Sequence, residues 1–244
     1  MKTKRSKTNM NLKLMNEIHF VNDFFWDGEL LARGRGKGAN RLFARQGDLD
    51  GACAVYSLMM MLLLHKRVNR SQLESRKAAQ KVTKSGYNVY MRFQDKFLGE
   101  LPGLYQDGYF LKNLAKKLNE YFKIVATASS KSIGLEQADS PKKQELVKQI
   151  METIDAGYPV ELGFSRRSNS GHAVVAIGYT KYNSDVRLFC LDPAFDISET
   201  AFWNSIIDMS FFEPVKVIYS DKYFTPNGNS EKVIVDEILT IDEE

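Results

Sequence analysis

A chain of 244 residues with 43% apolar and 11% aromatic residues can bury a sizeable core, either in one large domain or in two small lobes that share a cleft. Its formal charge of +4 is carried by residues 1–20, where Lys2, Lys4, Arg5, Lys7 and Lys13 face only Glu17. The rest is balanced, which disfavours nucleic acid as a partner. Two cysteines and three scattered histidines rule out a disulfide framework and give no reason to expect a metal site or any other cofactor.

Residues 1–14 read as a basic flexible arm. They contain no continuous apolar stretch of signal-peptide length, so a cytoplasmic location is expected. Residues 17–26 form a short apolar entry segment, followed by a glycine-rich basic stretch at 33–38 and a turn-rich loop at 45–53. From Cys53 to about Val68 the chain is Leu- and Met-rich without Gly or Pro, which predicts a helix apolar nearly all round and therefore buried. Its apolar part, residues 52–64, is too short to cross a hydrocarbon core of ~30 Å, so no membrane span is expected.

Ser71, Gln72, Leu73 and Glu74 read as a capping box opening a second helix that runs to about Lys84. Residues 85–106 read as an irregular connection. Asp107 is placed to cap a third helix with Phe110, Leu111, Leu114, Leu118 and Phe122 on one face, and Ser140 and Pro141 open a fourth that Gly157 ends. Strands are expected at 159–164, 172–179, 186–191 and 215–219. The expected fold class is therefore α+β: one domain over 15–230, with a helical part to about 157 and a β part from about 158, followed by an acidic C-terminal segment at 231–244 that reads as a strand with a frayed end.

Cys53 stands where a glycine-containing loop turns into the buried helix. A helix N-terminus favours negative charge through its free N–H groups, and the thiolate is the nucleophilic form of cysteine. A free cysteine is also a common small core residue, so the neighbours matter. Gln46, seven residues earlier, carries an amide that can donate to the oxygen of a tetrahedral intermediate, alongside the Cys53 N–H. Of the histidines, His19 lies in the entry segment and His65 three turns along the helix of Cys53. His172 opens an apolar strand after a polar loop and is the one placed to act as a base. Asp192 ends the next strand before Pro193, where it can accept from the His172 ring and fix its tautomer, or simply start a turn.

The order Gln46-Gly47, Gly51-Ala52-Cys53, Gly171-His172-Ala173-Val174-Val175-Ala176-Ile177-Gly178-Tyr179 and Leu191-Asp192-Pro193 resembles the papain-like cysteine peptidase superfamily, in the style of compact bacterial peptidases that process bacteriocin leaders. Ala54 after the nucleophile and the seven-residue Gln-to-Cys interval depart from the commonest pattern. The resemblance implies a papain-like fold, in which the helical lobe with the nucleophile helix packs against an antiparallel β lobe and the active site lies in the cleft between. It implies a thiol peptidase with Cys53, His172 and Asp192 as triad, Gln46 as oxyanion donor, and Gly51, Gly171, Trp203 and Arg45 at the substrate. The partner implied is a protein or peptide substrate, with room for a regulatory protein. Acyl transfer or deamidation on the same triad, and a non-catalytic peptide- or nucleic-acid-binding scaffold, are the alternatives. The basic residues Arg33, Arg35, Lys37, Arg41 and Arg45 are expected to rim the cleft and draw in an acidic target.

Overall fold

Local sequence accounts for the helix that matters most. In the computed structural model, which describes residues 17–34, 38–47, 52–75, 77, 88–99, 109–134, 141–168, 170–182, 185–210 and 219–243, Cys53–Leu64 forms α1. Only Cys53 and Tyr56 of its twelve residues are not buried. It ends earlier than expected, because Lys66 adopts φ +55° and the chain closes a Schellman turn, with Lys66 N–H on Leu63 O and Arg67 N–H on Leu62 O. Lys66 and Arg67 therefore follow the helix instead of forming its last turn.

The second helix, α2, spans Arg70–Glu74. Its cap is Asn69, whose N–H donates to Gln72 Oε1 at 2.7 Å, so the box sits two residues earlier than Ser71 and Glu74 suggest. Its expected continuation to Lys84 lies outside the described residues apart from Ser75 and Lys77. Residues 88–99, expected to be irregular, are helical: α3 spans Val89–Phe93 under an Asn88 cap and runs into a π-helical turn at Gln94–Leu98. Phe93 and Phe97, four apart, stack at 4.5 Å and are fully buried, which gives this short segment its anchor. The fourth helix, α4, spans Leu111–Tyr121. Phe110 precedes it and is 72% exposed, so it is not part of the buried face, and Asp107 lies outside the described residues. The fifth, α5, spans Pro141–Asp155 and is stopped by Gly157 at φ +92°.

The architecture is α+β, but the first part is not purely helical. Three short strands, β2 (Phe24–Trp26), β3 (Leu30–Arg33) and β4 (Ala39–Arg41), make a small antiparallel sheet from the entry segment and the basic stretch. Strands of three or four residues are too short to show alternation. Two more join the main sheet: β1 (Ile18–Phe20) beside β7 (Gly171–Tyr182) and β5 (Ala128–Ser132) beside β11 (Ser230–Ile241).

The remaining strands are β6 (Val160–Arg166), β7 (Gly171–Tyr182), β8 (Asp185–Leu191), β9 (Ser205–Ser210), β10 (Asp221–Phe224) and β11 (Ser230–Ile241). They pair antiparallel in the order β7-β6-β11-β10-β9-β8, and β8 pairs again with β7, so six strands close a ring. Neither β9 nor β10 was expected. Of the strand expected at 215–219, only Tyr219 is described, and it lies outside any strand. The acidic segment 231–244 supplies most of β11, a strand held between β6 on one side and β10 and β5 on the other.

Residues opposite one another in an antiparallel pair share a face. By that rule Leu162, Phe164, Val174, Ala176, Leu188, Cys190, Ile207, Tyr223, Val233 and Val235 all point into the ring, and all are buried. The helix α1 packs against β7 and β6 from outside, with Ser57 Oγ donating to Ala173 O. Among the described residues no helix is long and apolar enough to cross a membrane.

Candidate active site

Three element ends converge. Cys53 is the first residue of α1, His172 the second residue of β7, and Asp192 follows the last residue of β8. Val175 faces Leu191, so extending the register by one step sets Asp192 opposite Val174 and on the same face as His172, a diagonal neighbour. His172 Nε2 bonds Asp192 Oδ1 at 2.7 Å, which leaves Nδ1 as the ring nitrogen for the thiol. The Cys53 sulfur is hydrogen-bonded to the His172 ring and to the N–H groups of Ala173 and Ala54.

Burial pushes each of these groups toward its neutral form, and the neighbours reverse that tendency. Burial raises the Cys53 thiol, but the His172 hydrogen bond and charge, with the two N–H groups, bring it below its ordinary value. Burial would lower His172, yet the Asp192 charge and hydrogen bond, together with Cys53, push it up to about 10. Burial raises Asp192, and the His172 charge and hydrogen bond, the Tyr223 hydroxyl and the Ala194 N–H hold it below the usual carboxylate range. The three shifts agree: the arrangement favours a thiolate beside an imidazolium backed by a carboxylate.

Sequence reasoning missed the residues that hold Asp192. The Tyr223 hydroxyl on β10 donates to Oδ2, and the Ala194 N–H donates to Oδ1 at 2.8 Å. Asn204 clamps the backbone on both sides: its Oδ1 accepts from Asp192 N–H at 2.6 Å and its Nδ2 donates to Asp192 O at 2.8 Å and Phe195 O at 3.0 Å. No local pattern announces these roles, since β9 and β10 reach Asp192 only through ring closure.

The other expected residues are placed as follows. Gln46 N–H donates to Pro193 O at 2.9 Å, which seats the glutamine loop against the Asp192 turn. Its side chain is half-buried, and its carboxamide oxygen meets no donor among the described residues. Gly171 opens β7 beside His172. Gly51 lies outside the described residues, as do Arg35 and Lys37. Trp203 packs at a tilt against Phe189 at 4.6 Å and stacks on Phe20 at 5.7 Å, next to Asn204. Arg45 pairs with Asp196 at 2.8 Å, Arg41 with Glu29 at 3.2 Å and Arg33 with Asp23 at 3.8 Å, so the basic stretch is compensated from elsewhere in the chain.

His19 pairs with Asp155 at 2.7 Å and stacks on Tyr179 at 4.4 Å. His65 stacks on Tyr158, and its burial, with Arg67 nearby, lowers it to about 4. Cys190 lies inside the ring, where burial and then Asp192 raise its thiol well above the ordinary value. On the outer face of β6, Glu161 is fully buried and neither carboxylate oxygen has a hydrogen-bond partner among the described residues. Among the described residues no three His, Cys, Asp or Glu side chains are grouped to hold a metal ion.

The model of a family described as the Peptidase_C39 like family matches residues 41–215, which take in Gln46, Cys53, His172 and Asp192. No curated protein matches the chain.

Proposed function

The chain belongs to the Peptidase_C39 like family, and on that basis we propose that it is a papain-like cysteine peptidase hydrolysing peptide bonds with Cys53 as nucleophile. The observation that carries the reading is the unbroken chain of hydrogen bonds from Cys53 through His172 to Asp192 and Tyr223. Such a chain combines a thiolate, a proton carrier and a fixed tautomer.

The Cys53 thiolate adds to the scissile carbonyl carbon, and the carbonyl electron pair moves to oxygen. In this reading the Cys53 N–H and the Gln46 amide receive that oxyanion; losing one such donor typically costs ~3 kcal/mol of barrier. As the C–N bond breaks, imidazolium His172 gives its Nδ1 proton to the leaving amine, and a thioester on Cys53 remains. A water then attacks the thioester, neutral His172 takes the water's proton, and the thiolate leaves. Asp192 stays ionised throughout and orients the ring from Nε2.

The experiment is hydrolysis of internally quenched peptide pools by the purified chain and by Cys53→Ala, with products identified by mass. New amino termini that vanish in Cys53→Ala support a peptidase. Amide-to-acid conversion without chain cleavage, or transfer to an added amine, would replace peptide hydrolysis by deamidation or acyl transfer on the same thioester. Undiminished cleavage by Cys53→Ala would end the reading.

A further inference from the structure

We propose that the cavity of ≈ 350 Å³ lined by Arg166, Arg167, Ser168, Glu231 and Lys232 is a subsite for a carboxylate of the peptide substrate. The assignment rests on the peptidase reading above and adds a substrate class to it.

Its position comes from strand register. Phe164 faces His172, and Arg166, two residues on, faces Val233 on the same inner face. Arg166 therefore stands one rung from His172, roughly 7 Å along the strand. The turn that carries Arg167 and Ser168 delivers the chain directly to Gly171 and His172, where β7 begins. Electrostatic reach agrees with this. Burial and then the Asp192 carboxylate raise the Tyr223 phenol, and the Arg166 charge opposes them, so its guanidinium is felt at the hydroxyl that holds Asp192.

The charge is unbalanced. Arg166 and Glu231 neutralise each other at 2.6 Å. Arg167 is exposed over the Tyr219 ring, and Lys232 is exposed, with no carboxylate on either among the described residues. Lys232 also stands directly opposite Lys222 on β10, a like-charge cross-strand pair that disfavours the sheet unless an anion offsets it. Asp208, the residue facing Lys222 from β9, is already taken by a two-pronged pair with Arg187 at 2.7 and 2.8 Å. A cavity of this size with two uncompensated cations, beside an arginine that stands one rung from the proposed base, suits a planar carboxylate held by guanidinium. An acidic side chain and a free chain terminus both present one. The compensated residues Arg33, Arg41 and Arg45 do not offer such a site.

The test is binding, which does not depend on turnover. Fluorescence anisotropy with the full chain carrying Cys53→Ala would compare labelled peptides differing only in Glu against Gln, and only in a free against an amidated C-terminus. A carboxylate peptide should bind about 10-fold tighter than its neutral match, a margin that Arg167→Ala with Lys232→Ala removes. Binding of the neutral peptide should stay within about twofold of the parent, which checks the fold of the double variant. If the margin follows the side chain, the ligand is an internal acidic residue; if it follows the free terminus, the ligand is the chain end. Equal binding of carboxylate and neutral peptides, or a margin that survives the double variant, overturns the subsite. Carboxylate-selective binding by a chain whose Cys53 form cleaves nothing would retire the peptidase reading and leave the subsite standing.

Discussion

Asp192→Asn isolates the charge behind the base. An asparagine oxygen can keep the bonds from His172 Nε2 and the Ala194 N–H, while its Nδ2 faces Tyr223, whose hydroxyl can rotate to accept. The backbone clamp by Asn204 does not involve the side chain at all. The fold should therefore survive while the imidazolium loses its anion. A charge-assisted hydrogen bond is about twice as strong as a neutral one, so the loss is the difference between them, on the order of 1–1.5 kcal/mol, or about 5- to 10-fold in kcat/KM at pH 7. The pH dependence is the sharper readout. His172 is held up to about 10, so its contribution to stability and to thiolate formation is complete below its ordinary value of 6.5 and is lost as pH rises toward 10. In Asp192→Asn the alkaline limb of Cys53 alkylation should fall by at least about one pH unit, equivalent to ~1.4 kcal/mol. Circular dichroism must first show a native fold. An unmoved alkaline limb in a folded variant would refute the assigned role of the carboxylate.

Brief iodoacetamide treatment at pH 7, followed by peptide mapping, should place the label on Cys53, which is lowered, and spare Cys190, which is buried and raised; equal labelling contradicts the assignment. Glu161→Gln should stabilise the protein by about 1–3 kcal/mol near pH 7 in urea titrations. Burial, with Cys53 and Glu237, raises this carboxyl, so its neutral form is favoured and its folded-state penalty grows as pH climbs above the ordinary carboxylate range; a gain independent of pH would exclude that cause. Gly178→Ala puts a Cβ 2.4 Å from Phe20 Cδ1 and 2.6 Å from His19 O, so β1 must shift, at roughly 1–3 kcal/mol of stability; denaturation within about 0.5 kcal/mol of wild type would show that β1 yields freely.

The parts legible in the sequence are those set by local pattern. An uninterrupted apolar run after a glycine turn specifies α1 and the position of Cys53, proline and glycine bracket α5, and β-branched runs mark β6, β7 and β8. The meeting of Cys53, His172 and Asp192 follows from three such element ends. Tyr223 and Asn204 were not legible, because Asp221–Phe224 has too few residues to show a period and its hydroxyl matters only once β9 and β10 close the ring. The ion pairs of the basic stretch were hidden for a related reason: Arg33, Arg41 and Arg45 find Asp23, Glu29 and Asp196 through hairpins and long-range packing that no local window reveals.

Because β11 sits between β6 and β10, the last of the described strands in chain order is the one that completes the ring. A growing chain presents Cys53 and its helix early, while β6 still has a bare edge opposite Phe164, and Phe164 is the residue paired with His172. Asp192, Tyr223 and Asn204 all precede that strand, so residues 230–241 bear on the base only through β6, whose second edge they cover. Without that support of β6 the His172 ring is expected to be held less firmly and the Cys53 thiol to stay closer to an ordinary, slowly reacting cysteine. Ribosome-stalled chains exposed to residue 225 should therefore resist alkylation that chains exposed to residue 243 undergo; equal labelling of the two would show that the thiol is activated before the ring is complete.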